Sequence, residues 1–351
     1  MTLSSSAIVT DSPVAKHGSP VLLRPDPTQT VRILSIDGGG IRGIIPAVIL
    51  TRLEQLTGQP IARLFDLVAG TSTGGILTLG LTIPKTPGGP LYSAQDFVDM
   101  FEREGHRIFS RSPFRAILTT DSLLWKKYSS RGIEQVLAEY FGDSRLSHSV
   151  TDVLVTSYEI ERRFPFFFKS ANARHRPDYD FPARDIARAT SAAPSFFEPM
   201  KIPTGTNSDY YTLIDGGVFA NNPAACALVE ARITHPDAAR FVVVSLGTGS
   251  LIQAVPAQQA RNWGLIQWAK PLFDAMFDGA SSTVDYQLRE LLPTGYYRFQ
   301  TTLDGHNHAL DNTSPENMTA LKGLANKLID EESAKLDALC HELATSPSRK
   351  G

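Results

Sequence analysis

Apolar positions along this chain recur with two different spacings, and the switches between them mark out its elements. Val31-Arg-Ile-Leu-Ser-Ile36 is dense in apolar and β-branched residues and stops at a glycine cluster, which predicts a buried strand. Residues 44–56 carry helical spacing, with Pro46 in the first turn where a missing N–H costs little and Gly58 just past the end. The unit then repeats: residues 64–69 predict a short strand, 70–74 a tight turn and 75–81 the start of a helix. Two strand-turn-helix units in succession predict a sheet with parallel strands.

Farther along, residues 93–109 and 130–141 read as amphipathic helices, 151–160 and 164–169 as strands, and 183–193 as a helix. A short strand at 211–214, a helix at 222–233 and a buried strand at 241–246 follow. From residue 255 the pattern is mostly helical, with Pro271 predicting a break, and it ends in a long polar-faced helix over about 315–343. Residues 1–30, rich in Ser, Pro and Thr, predict a flexible arm that becomes structured at Val31. The expected division is this arm, a main domain over 31–325, and a C-terminal helix and tail over 326–351.

Composition narrows the function classes. With 42% hydrophobic and 20% charged residues, the 351 positions can bury a sizeable core. Thirty-four basic against 36 acidic residues leave no global field for a nucleic-acid backbone, so a nucleic-acid polymer is excluded as the expected partner. Cys226 and Cys340 have neither CxxC spacing nor a neighbouring Cys/His cluster, which predicts idle thiols. The first 30 residues show no basic segment followed by an apolar stretch, so the expected location is cytoplasmic. The most apolar run, 64–81, is interrupted by Asp66 and by the glycine turn; any membrane contact is therefore expected at the surface.

The chemistry gathers in three glycine-rich places. Gly70-Thr71-Ser72-Thr73-Gly74 fits G-x-S-x-G, in which small flanking residues permit a sharp strand-to-helix turn that pushes a serine hydroxyl out of the sheet. An ordinary glycine turn is the competing reading. Asp37-Gly38-Gly39-Gly40-Ile41-Arg42-Gly43 also joins a strand to a helix, and its consecutive N–H groups could serve an oxyanion or a phosphate. Gly38, Gly40 and Gly43 meet the dinucleotide spacing only nominally, and no Walker A motif is present. For a base there are eight histidines, of which His306 and His308 fall late enough to complete a Ser…Asp…His order, the α/β-hydrolase reading. Asp215-Gly216-Gly217, after a short strand, offers an aspartate instead; a plain β-turn is the alternative.

Taken together, DGGGIRG at 37–43, GTSTGG at 70–75 and DGG at 215–217 resemble the three signature blocks of patatin-like phospholipases, in the same order. The segments 189–194, 220–223, 245–249 and 313–318 also look like plant-type patatin segments, and the resemblance runs from Val31 to Leu324. It implies a three-layer α/β/α fold whose central, mostly parallel sheet is flanked by helices and carries a nucleophile elbow. It implies a lipid acyl hydrolase that cleaves fatty acyl esters through a Ser–Asp dyad and an acyl-enzyme. On that likeness Ser72 attacks, Asp215 takes its proton, and Gly38, Gly39 and Gly40 form the oxyanion hole. Arg42 braces that loop or meets a lipid phosphate, Gly70, Gly74, Gly216 and Gly217 support the turns, and Asp37 caps its own loop. No metal and no cofactor is implied. An aspartate near its free pKa of about 3.9 is a feeble base toward an alcohol, so desolvation of Asp215 is expected.

The substrate so implied is a phospholipid or other acyl lipid at a membrane surface. Apolar candidates for that contact are 164–168, Phe196-Phe197 and 263–277. The sequence leaves a homo-oligomer open. Some bacterial relatives are nucleotide-triggered defence effectors that degrade membranes, yet no segment here points to a small-molecule activator. A storage or binding protein with a vestigial site is the reading from another class, and three intact blocks weigh against it.

Overall fold

The computed structural model describes residues 26–86, 88–89, 91–110, 128–204, 209–251, 255–303 and 309–345. Its framework is an eight-stranded mixed sheet built from β1 (Asp26–Ile36), β2 (Leu67–Thr71), β3 (Asp152–Glu159), β4 (Phe164–Lys169), β5 (Met200–Pro203), β6 (Tyr210–Asp215), β7 (Ala238–Leu246) and, after the short β8 (Ser250–Leu251), β9 (Tyr296–Phe299). β3, β2, β1, β7 and β9 lie side by side in parallel. β4 and β6 run antiparallel to β3, and β5 antiparallel to β6. β8 pairs separately with β10 (Thr302–Leu303).

Successive side chains of the central strands enter two cores. Leu34, Ile36, Val68, Val153, Val155, Val244 and Leu246 face one, with the helices Ile44–Thr57, Thr73–Thr82 and Ala94–Ile108. Val31, Ile33, Leu67, Ala69, Leu154, Phe241 and Val243 face the other, with Ala227, Leu228 and Ala231 of the helix Ala224–Thr234 and Leu288 of the helix Leu265–Leu291. Apolar runs without polar alternation are what a strand covered on both sides needs, and they give the α/β sheet its helical layers on either face.

Several boundaries differ from the sequence reading. β1 begins at Asp26 rather than Val31, because residues from Asp26 already pair with β7 across an irregularity. Residues Ile61–Leu64 form one helical turn, so β2 starts at Leu67. The helix expected over 222–233 divides into Gly217–Ala220 and Ala224–Thr234, with Pro223 as the N-cap of the second. The long terminal helix likewise divides, into Pro315–Glu331 and Ser333–Thr345. Pro271 does not break its helix: Leu265–Leu291 is continuous through it. The ring removes one hydrogen bond, and the buried Leu288 farther along anchors the rest. β9 was unexpected in a stretch read as helical. The N-terminal arm up to residue 25, His306, His308 and the tail from 346 lie outside the described residues.

Candidate active site

The pairing of β3 explains why two residues 143 positions apart in sequence meet. β4 pairs with β3 over residues 154–159, so β2, which pairs with 152–156, and β6, which pairs with 157–159, must share the opposite edge. β2 runs along that edge to Thr71, opposite Thr156, and β6 runs toward it from the other direction to Asp215, opposite Ser157. Their C-terminal ends therefore face each other, with Ser72 just past one and Asp215 at the end of the other.

Ser72 occupies φ 55°, ψ −123°, a region that side chains rarely adopt, and it caps the helix Thr73–Thr82. A conformation of this kind costs about 1–3 kcal/mol and persists only when its surroundings over-determine it. They do so here. A Cβ on Gly70 would lie 2.1 Å from the Gly74 carbonyl oxygen, and one on Gly74 would lie 2.2 Å from that of Ile36, so the turn closes only with glycine at both places. The Ser72 N–H donates to Thr190 Oγ1 (2.9 Å), whose hydroxyl donates to the Thr156 carbonyl (2.6 Å). Thr71 Oγ1 donates to the Ala220 carbonyl at 2.6 Å and touches Thr156 Oγ1 at 2.7 Å. The start of the helix places positive dipole beside the hydroxyl.

Asp215 is 3% exposed. Its carboxylate accepts the Gly217 N–H at 2.7 Å, and the Ser72 hydroxyl lies close enough to act on it as a donor. Burial pushes its pKa up to about 6, against which these two donors act only in part. Gly216 and Gly217 permit the close approach: a Cβ on the first would strike Thr156 and on the second Phe277.

The loop Asp37–Gly43 lies against the serine, with the Gly38 Cβ position 3.2 Å from Ser72 Cβ. Its three glycines are not equivalent. The Gly38 N–H is engaged by the Asn221 carbonyl at 3.0 Å, whereas those of Gly39 and Gly40 have no protein acceptor among the described residues. Gly40 adopts φ 57°, and its space is closed by the Leu310 carbonyl. Arg42 donates from its N–H (3.2 Å) and Nε (3.3 Å) to the Gly39 carbonyl, the loop-bracing arrangement. Burial lowers its pKa to about 10, with Asp278 and Asp274 near enough to act against the shift.

Asp37 does not cap its own loop. Its carboxylate forms a bidentate pair with Arg298 of β9, Oδ1 to Nη1 at 3.0 Å and Oδ2 to Nη2 at 2.6 Å, both residues buried. A guanidinium fork outbids loop amides for a carboxylate in a dry interior.

Ser72, Asp215 and Gly38–Arg42 open on one cavity whose farther walls are apolar, with Ile76, Phe101, Phe109, Phe196, Phe197 and Phe277 among them. Of the candidate membrane segments, Phe196-Phe197 thus belongs to the cavity. Phe166 and Phe168 are core, packed on Tyr179, Phe181 and Tyr211. Phe277 lines the cavity, while Trp268 (38% exposed), Leu272 (52%) and Met276 (56%) of the same helix face outward; the side chains of Ile266 and Phe273 lie outside the described set. Both cysteines are free, and burial raises the Cys226 thiol to about 11. Thr190, Thr248, Asn221 and Arg298 escaped the sequence reading as site residues; the first three sit in segments whose likeness to patatins was visible without assigning any residue a role.

A family model described as "Patatin-like phospholipase" matches residues 34–228. "Patatin-like protein 2" of Arabidopsis thaliana is 36% identical over 354 aligned residues, covering 90% of this chain and 87% of that protein. "Patatin-like protein 4" of the same plant is 32% identical, covering 88% and 85%. "Probable inactive patatin-3-Kuras 1" of Solanum tuberosum is 32% identical, covering 90% and 91%.

Proposed function

This chain belongs to the patatin-like phospholipase family, and from that premise we propose that it cleaves fatty acyl esters of membrane lipids with Ser72 as nucleophile and Asp215 as base. Ser72 Oγ attacks the ester carbonyl as its proton passes to Asp215. The oxyanion so formed accepts hydrogen bonds from the N–H groups of Gly39 and Gly40. Collapse expels the lipid alcohol, which takes the proton from Asp215 and leaves an acyl-enzyme. Water then attacks with Asp215 again as base, releasing the fatty acid and the serine.

The observation that carries this reading is a hydroxyl on a strained turn close enough to act on a carboxylate that is buried with no cation acting on it. An aspartate raised to about 6 is still ionised at neutral pH and is a better proton acceptor than a free one. The oxyanion amides and the helix start supply the remaining stabilisation. The apolar cavity supports an acyl chain as the bound group.

Among the described residues no helix is long and apolar enough to cross a membrane, so lipid is met from the surface. The outward stripe of Trp268, Leu272 and Met276, on the helix that also lines the cavity, supports docking beside the site entrance. The test is product analysis on mixed phospholipid vesicles. Wild type releases fatty acid and lysolipid and is labelled by a fluorophosphonate, and Ser72→Ala does neither. Trp268→Ala lowers turnover on vesicles while leaving a monomeric ester unaffected. Equal fatty acid release by Ser72→Ala would end the nucleophile assignment.

A further inference from the structure

We propose that Thr248 is a positioning residue for the oxyanion-stabilising amides, holding the peptide whose N–H turns toward Ser72. The inference rests on the reading of Ser72 as nucleophile. Thr248 does not line the cavity; it stands behind the glycine loop, 3% exposed, in the turn that follows β7. Its Oγ1 donates to the Gly38 carbonyl at 2.6 Å. That carbonyl and the Gly39 N–H belong to one peptide unit, which is planar and trans, so the two bonds point in opposite directions. A donor fixing the carbonyl on the Thr248 side therefore drives the Gly39 N–H to the side of the loop that lines the cavity with Ser72.

The loop needs such a device. With glycine at both 38 and 39, no Cβ resists rotation of the peptide between them, and the reversed orientation would present a carbonyl oxygen to a developing oxyanion. The fit is close on the other side as well: a Cβ on Gly39 would lie 2.3 Å from Thr248 Oγ1, so the threonine fills the space that this glycine leaves. The threonine is itself held. Gly249 N–H donates to Gln300 Oε1 (2.8 Å) and Gly247 N–H to the Phe299 carbonyl (2.9 Å). Arg42 acts in the same sense on the next peptide, through the Gly39 carbonyl.

The experiment uses the full chain as Thr248→Val, which removes the donor at constant shape, and Thr248→Ser, which restores it. Hydrolysis of p-nitrophenyl butyrate is followed with the affinity of an alkyl trifluoromethyl ketone, whose serine adduct carries an oxyanion. Valine is expected to lower kcat by about 10- to 100-fold, below or at the low end of the loss from deleting an oxyanion donor outright, with KM within about twofold. Trifluoromethyl ketone affinity falls by a similar factor, and serine recovers most of both. If the valine chain does not fold, Thr248→Ala removes the same donor and carries the same expectations. A kcat within twofold of wild type, ketone affinity that stays put while kcat falls, or a serine variant as impaired as valine overturns the proposal. Failure of the underlying reading looks different: wild type would escape fluorophosphonate labelling and Ser72→Ala would retain activity, overturning both.

Discussion

Asp37 and Asp215 carry the same local signature, a buried aspartate after apolar strand residues and before a run of glycines, and the fold uses them in opposite ways. Asp37 meets the two terminal nitrogens of Arg298, so its charge is matched atom for atom and it fastens the end of β1 to β9. Asp215 receives one amide and feels the nearby Ser72 hydroxyl, with no cation acting on it. Burial raises the proton affinity of both carboxyls; at Asp37 the Arg298 guanidinium works against it and ties the carboxylate down as a strut, whereas at Asp215 only hydrogen-bond donors oppose it, as the proposed base requires. The glycines differ accordingly. Those after Asp37 leave two N–H groups without a protein acceptor among the described residues, while those after Asp215 let the carboxylate approach β3 and accept its own loop's amide.

The sharpest way to break this comparison is to neutralise each carboxylate in turn. Asp215→Asn is expected to lower kcat by about 10³-fold or more, as Ser72→Ala does, because the amide cannot take a proton. Asp37→Asn is expected to leave the chemical step within about tenfold. Steady-state hydrolysis of a monomeric ester by the soluble fractions measures both. Equal losses would mean that the two aspartates are not distinguished by their partners.

Stability separates them in the other direction. Arg298→Met strands a buried carboxylate at Asp37 and is expected to lower unfolding free energy by about 3–5 kcal/mol in urea titrations. Asp215→Asn removes a charge that folding buries without a partner. A folded-state pKa of about 6 against a model value of 3.8 means that the folded chain holds this proton more tightly. The carboxyl therefore contributes most to stability below about pH 4, and that contribution is lost as pH rises through about 6, a difference of about 3 kcal/mol. Asp215→Asn should thus match wild type at pH 4 and exceed it at pH 8. A less stable asparagine variant at pH 8 would show that the buried charge is compensated after all.

Activity should follow the same titration with the opposite benefit. Only ionised Asp215 can accept the Ser72 proton, so kcat/KM on a monomeric ester is expected to rise with an apparent pKa near 6 and stay level to pH 8. A midpoint near 4 would place Asp215 in a solvated setting and erase its contrast with a free carboxylate. The pH at which the site works best is then the pH at which this residue favours folding least, a conflict expected of a reactive group held in an interior.

How far the comparison could be read from sequence depends on which partner is asked about. The three glycine blocks, the strand before Ser72 and the helix after it are local patterns, and each appears in the fold close to where periodicity and turn chemistry put it. Arg298 was not legible, since a charged residue in a four-residue strand after a long helix looks like a surface position, and only the long-range pairing of β9 with β7 buries it. Thr190 and Thr248 act through single hydroxyls on distant backbone carbonyls, and such contacts leave no period in a sequence. The meeting of Ser72 with Asp215 rests on one edge of β3 serving two strands in succession, a matter of register that composition cannot express.

The smallest expected effect sharpens the comparison most finely, because it asks whether Asp215 is itself the base or the orienter of one. In a Ser–His–Asp arrangement the aspartate touches the imidazole, and removing the histidine costs as much as removing the serine. Here the Ser72 hydroxyl itself acts on the Asp215 carboxylate, and among the described residues no histidine lines the cavity. His306→Asn and His308→Asn, singly and together, are therefore expected to change kcat/KM by less than about threefold, with the pH midpoint unmoved. A loss of 10³-fold in either, matched to that of Asp215→Asn, would restore the triad and reduce Asp215 to a second strut, as Asp37 is.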